Sequence, residues 1–136
     1  MKHTRAILGL AGAAALFTAG YVAGQAKNQF GTPTSIIHVS LIKWNEGVSD
    51  AEKKKALDGV KTMAAEIPGI KNVWTHASRM QPRDYHDAFV IEFADRAAAE
   101  RYAEAPVHAK WAEHFLSIRA ASISPQITNC PPAGCP

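Results

Sequence analysis

The order of periodic segments predicts an α+β domain of the ferredoxin-like split βαβ kind, strand–helix–strand–strand–helix–strand, with one antiparallel four-stranded sheet. Three observations carry this. Short β-branched and aromatic runs alternate with stretches whose apolar residues recur every three or four positions. Capping and stop signals mark their borders. Charged residues are 20% and hydrophobic residues 47% of the 136-residue chain, a globular balance rather than that of a disordered one.

Ile36 to Trp44 (IIHVSLIKW) has the composition and length of a strand. Asn45-Glu46-Gly47 breaks it. Ser49-Asp50-Ala51-Glu52 then matches a capping box. Ala56, Leu57, Val60, Met63, Ala64 and Ile67 follow at helical spacing until Pro68-Gly69 stops the run. Ile70 to Ser78 reads as a second strand, Arg79 to His86 as a loop, and Asp87 to Phe93 (DAFVIEF) as a third strand. Asp95 caps the next helix, with Tyr102 and several alanines inward. Pro106 starts a further helical stretch on which His108, Trp111, Ala112 and Phe115 share a face. Ile118 to Ile127 is a last, weaker strand. Helices on one side leave the other sheet face open. In the first strand Ile37, Val39, Leu41 and Lys43 form the better helix-packing set. His38, Ser40, Ile42 and Trp44 are then expected on the open face, closed by a second copy of the chain.

The parts before the domain have a different composition. Residues 1–26 hold two of the 15 basic residues and none of the 12 acids, leaving 13 against 12 and a formal charge of only +1. No Lys/Arg stripe remains for phosphates, so a nucleic-acid partner is excluded by composition. Lys2 and Arg5 precede an apolar stretch from Ala6 to Ala19, and Gly24-Gln25-Ala26 puts small residues where a signal peptidase cuts. Counting on through Gly24 makes the stretch 19 residues long, near the minimum for a membrane anchor. Either reading places the folded part outside the cytoplasm, in the periplasm or beyond, with membrane attachment only if the leader is uncleaved. Residues 27–35 form a linker, 36–127 the domain, and 128–136 a Pro/Cys tail. In an oxidising compartment Cys130 and Cys135 read as a disulfide. Four intervening residues with two prolines argue against a redox-active pair, leaving metal binding and free or intermolecular thiols as the other readings.

Four motifs in order carry a resemblance. His38-Val39-Ser40-Leu41-Ile42-Lys43-Trp44, Ile67-Pro68-Gly69-Ile70, Ala88-Phe89-Val90-Ile91-Glu92-Phe93 and Ala105-Pro106-Val107-His108 are similar to the landmarks of the stress-responsive A/B barrel (Dabb) family. This family lies within the dimeric α/β-barrel superfamily. The resemblance covers about Ile36 to Ile127. It implies a homodimer whose two sheets face each other across a barrel containing a cavity. It implies little about activity, since most members have no established chemistry. One member closes a polyketide ring by aldol condensation, using two histidines with tyrosines nearby. By motif position these histidines fall on His38 and His108, and one tyrosine falls on Tyr102. The other falls on Val60, which has no hydroxyl, so the complete cyclase site is in doubt.

The residues themselves give the candidates. A mid-strand imidazole at His38, with an unperturbed pKa of about 6.5, suits proton transfer near neutrality; the alternative is a structural hydrogen bond. His108 and Tyr102 are the further catalytic candidates, and an inward Tyr102 also reads as core. Ser40, Trp44, Trp74, His76 and Trp111 are candidate ligand-binding residues, with Trp44 and Trp74 reading first as barrel or core packing. His76 and His86 beside His38 and His108 raise a metal or haem site, but no helical His-x-x-x-His spacing supports one. His114 beside Lys110 and Glu113 reads as solvent-facing. No Gly-rich phosphate loop, nucleophile elbow or cofactor fingerprint occurs, so neither metal nor cofactor is expected. Three functions follow: an exported dimer binding a small, partly apolar molecule with histidine proton transfer of a lyase or cyclase kind; a non-enzymatic stress or scaffold dimer; or a haem-handling or oxygenase-like protein.

Overall fold

The computed structural model describes residues 30–131. The leader over residues 1–26 and Cys135 of the tail lie outside the described residues. The elements are β1 (Ile36–Trp44), α1 (Asp50–Glu66), β2 (Ile70–Trp74), β3 (Asp87–Phe93), α2 (Arg96–Glu104), α3 (Pro106–Ile118), β4 (Arg119–Ile123) and β5 (Gln126–Ile127). The strands form one antiparallel sheet in the order β2-β3-β1-β4, with β5 also pairing β1. This is the ferredoxin-like α+β fold, with three helices and five strand segments among the described residues.

The borders follow local chemistry. The Ser49 side chain accepts from Glu52 N–H at 3.3 Å while the Glu52 carboxylate accepts from Ser49 N–H at 3.1 Å, a complete capping box. Gly69 ends the turn after α1 at φ +93°, and a Cβ there would lie 2.5 Å from that of Ala98, so both backbone shape and space demand glycine. Asp95 caps α2 by accepting from Ala98 N–H at 2.8 Å. Pro106 opens α3, where its missing N–H costs nothing.

Three expectations about the strands change. β2 ends at Trp74 rather than Ser78, so His76 sits exposed in the following loop. Ile118 closes α3 instead of opening a strand. The last strand comes as two segments, although Leu41 faces Ile123 and His38 faces Gln126 in one unbroken register. Pro125 lies between them; it accepts from Val39 N–H at 3.0 Å but has no N–H to return.

The faces of β1 are the reverse of the sequence reading. Ile36, Ser40, Ile42 and Trp44 are buried, and with His38 they point to the helices; Ile37, Val39, Leu41 and Lys43 lie on the open face. The cause is β3. Its buried row is Phe89, Ile91 and Phe93, and the register sets these opposite Ser40, His38 and Ile36. Directly opposed residues share a face, so the bulkier β3 row takes β1's even-numbered residues with it into the core. Trp44 therefore packs edge-on to Phe115 at 6.0 Å, and its indole N–H donates to Asp87 Oδ2 at 2.7 Å. Ala56, Val60 and Met63 of α1, Ala98 and Tyr102 of α2, and Phe115 of α3 complete the core. On the open face Trp74, Ile123 and Ile127 are 50%, 48% and 55% exposed beside half-buried Ile37, Val39, Leu41 and Val90. Among the described residues no helix is long and apolar enough to cross a membrane.

Candidate functional site

Strand alternation carries His38 under the helices, where its ring lies 5.9 Å from Phe89 and 5.9 Å from Tyr102. Its Nδ1 is buried and has no hydrogen-bond partner. Tyr102 reaches down from the last turn of α2, 5% exposed. The chain then turns at Ala105-Pro106, with Ala105 N–H donating to Tyr102 O, and α3 returns His108 to within 4.3 Å of the Tyr102 ring. Three residues spread over 70 positions of sequence thus form one stack, His38–Tyr102–His108.

Burial sets the protonation of all three. It lowers the His38 pKa below 6.5, and the nearby His108 lowers it further by charge repulsion. Burial also lowers His108, while a hydrogen bond to the Ala103 backbone acts in the opposite direction. The Tyr102 phenol is pushed far up by burial alone. At neutral pH the stack therefore holds two neutral imidazoles and a protonated phenol. Such a set has the parts for general-base and hydrogen-bond-donor work on a carbonyl compound.

The remaining candidates divide. Ser40, next in the His38 row, lies with its Oγ 3.1 Å from Ser124 Oγ across the sheet. Trp111 extends the stack, at 5.9 Å and 26° from His108 and 4.7 Å and 13° from Phe115, and its Nε1 donates to Ala56 O at 2.8 Å. Trp44 meets the far end of this cluster through Phe115. Trp74 and His76 are not part of it, the first on the open sheet face and the second on an exposed loop. His86 Nδ1 accepts from Trp44 N–H at 3.3 Å. His114 is half-buried with Nε2 enclosed and unpartnered, which corrects the solvent-facing reading. Among the described residues no group of three or more His, Cys, Asp or Glu side chains is placed to hold a metal ion. Cys130 Sγ lies 3.1 Å from Thr34 O, and Asn129 Nδ2 donates to Pro33 O at 2.8 Å, so the tail runs beside the segment leading into β1.

Sequence reasoning missed Phe89, Ser124 and Gln126, which flank His38 or share its row. The alternation of DAFVIEF contains the signal for Phe89. The other two depend on the pairing register of β1 with the final strand, which no local pattern specifies.

Residues 36–125 match the model of the family described as Stress responsive A/B Barrel Domain. No curated protein matches the chain. Solved structures do. A dimeric ferredoxin-like protein of unknown function from Thermobifida fusca is 19% identical, covering 76% of this chain and 99% of its own at a TM-score of 0.61. A Dabb family protein with a ferredoxin-like fold from Mesorhizobium loti is 22% identical over 71% of this chain and 98% of its own, TM-score 0.62. SnoaB from Streptomyces nogalater, a cofactor-independent oxygenase, is 15% identical over 72% of this chain and 95% of its own, TM-score 0.59. At these identities the likeness is one of fold.

Proposed function

Since the chain belongs to the stress-responsive A/B barrel family, we propose that it acts as a homodimer that binds a small, partly apolar carbonyl compound beneath the helices and moves a proton on it through His38. The observation that carries this reading is the His38 Nδ1, buried without a partner against a phenol that stays protonated. A neutral His38 takes a proton from the carbon next to the ligand's carbonyl. The Tyr102 O–H donates to the carbonyl oxygen as negative charge gathers there, His108 orients the phenol, and the proton held on His38 returns to the enolate as the product forms. Val60 stands where the cyclase of the family has a second tyrosine, which favours a smaller or simpler substrate.

The apolar row of Ile37, Val39, Leu41, Val90, Trp74, Ile123 and Ile127 supports the dimer, as do the dimeric relatives of this fold. We also propose export through the leader, cleaved near Ala26, and a disulfide between Cys130 and Cys135 in the exported protein. Intact mass before and after reduction checks the disulfide: a difference of two protons supports it, and free thiols contradict it.

Native mass spectrometry of protein from its own host identifies a bound ligand. His38→Ala and His108→Ala are then compared with wild type on that ligand. Retained folding with at least a tenfold loss of rate supports proton transfer. Full activity in both variants defeats it. A second reading, a non-enzymatic scaffold dimer, is favoured by the dense ring packing about His108 and Trp111, which fills space a substrate would need. Its mark is protein that stays unliganded from its host. The oxygenase-like alternative rests on fold likeness to SnoaB alone.

A further inference from the structure

A groove of about 690 Å³ runs between α1 and α3, on the outer side of the helix layer and separate from the His38 row. We propose that it binds a free single-chain carboxylate amphiphile, a fatty-acid-like anion, with the carboxylate at the Lys55–His114 end and the alkyl chain across Trp111 toward Val107.

The floor is apolar by construction. α1 carries Gly59 at its centre, and a Cβ there would lie 2.6 Å from Trp111 Cδ1, so the indole lies against bare helix backbone. Its one polar atom is consumed inside the protein, donating to Ala56 O. What the tryptophan offers the groove is therefore hydrocarbon, continuous with Met63 and Val107. Pockets of this size and lining take small apolar ligands.

The rim supplies the charge. Lys53, Lys54 and Lys61 are each engaged by an aspartate of α1, whereas Lys55 and Lys110 make no ion pair among the described residues. His114 lines the same end as Lys55, with its Nε2 enclosed and unpartnered, and the Glu52 carboxylate near both is held by Ser49 N–H and Oγ. Asp58, paired with Lys54 and Lys61, lines the groove midway, and Glu66 lies at the other end of α1, so an anion is disfavoured away from the Lys55 end. This polarity orients the ligand. From Lys55 to Glu66 the helix rises about 16 Å, enough for an extended medium-length chain. Lys55 and Lys110 are exposed, so their cost of desolvation on binding is small.

Calorimetric titration with sodium dodecanoate below its micelle concentration tests the proposal. Dodecyltrimethylammonium serves as the charge-reversed probe, and wild type is compared with Lys55→Glu, Thr62→Trp and His38→Ala. Saturable binding of one dodecanoate per chain is expected, at least tenfold weaker in Lys55→Glu and in Thr62→Trp, which fills the groove from a solvent-facing position. The cationic probe should bind at least tenfold more weakly than dodecanoate, and His38→Ala should bind dodecanoate like wild type. The proposal is overturned by absent binding, by equal affinity for both probes, or by wild-type affinity in both groove variants. Loss of binding in His38→Ala overturns it as well, since the chain would then occupy the row beneath the sheet-facing side of the helices. Circular dichroism confirms that each variant is folded, and two unrelated groove variants keep the test decisive if one is not.

Discussion

Gly59 and Trp111 are matched to each other. A glycine inside a helix forfeits roughly 1 kcal/mol of helix propensity relative to alanine, and here the vacancy is filled by an indole that also donates to the Ala56 carbonyl. Gly59→Ala should therefore destabilise the protein by about 1–2 kcal/mol, because overpacking and a lost hydrogen bond outweigh the gain in propensity. Urea unfolding checks the size, and a shift in tryptophan emission locates the effect. His38 gives a second prediction at this scale. Its pKa is lowered in the folded protein, so between that value and 6.5 the unfolded chain binds more protons than the folded one. Its contribution is fully present above pH 6.5 and is lost as the pH falls below it. His108 shifts in the same direction. The urea midpoint should drop between pH 7.5 and pH 5.5, and His38→Gln should flatten that drop. The partners of these residues were only partly legible in the sequence. Helical spacing gave the shared face of His108, Trp111 and Phe115, but nothing local says that Gly59 exists for Trp111.

At the scale of elements, capping chemistry was the most legible feature. Ser49 and Asp95 cap as their motifs predict, because those hydrogen bonds close within four residues and need no tertiary context. Ser49→Ala should cost about 1 kcal/mol in a denaturant titration, and Asp50→Asn, at an exposed position beside it, should cost less. Strand faces were less legible. Alternation in IIHVSLIKW defines two rows but does not say which meets the helices, since both rows carry aliphatic residues. The choice is made one strand away, where Phe89, Ile91 and Phe93 outweigh Ala88, Val90 and Glu92 in apolar bulk and the register binds the rows together. His38 thus lies in the same layer as Tyr102 and His108, so one chain holds the whole candidate constellation. Pro125 shows the opposite limit: it interrupts the ladder without disturbing the register on either side.

At the scale of the whole molecule, the reversed face moves the test of dimerisation to different residues. On the sequence reading Trp44 belonged to the dimer contact; in the structure it is 4% exposed among Phe115 and Asp87. Trp44→Asp should therefore unfold the chain, with a cost of at least about 3–5 kcal/mol from lost packing and more from an unpaired buried carboxylate. Val39→Asp behaves differently. Val39 stands on the open face opposite Val90, flanked in the same row by Ile37 and Leu41, and its neighbours there are the residues left half-bare in a single chain. A carboxylate at this position meets water in the monomer but an apolar surface in the dimer, so the variant should remain folded and shift toward monomer. Sedimentation velocity at micromolar concentration, run beside circular dichroism, separates the two outcomes. A folded Val39→Asp protein that sediments as wild-type dimer would place the association surface elsewhere. A folded Trp44→Asp monomer would return it to the even-numbered row of β1. The two substitutions sit five residues apart on one strand, and only the parity of their positions makes one a question about folding and the other a question about assembly.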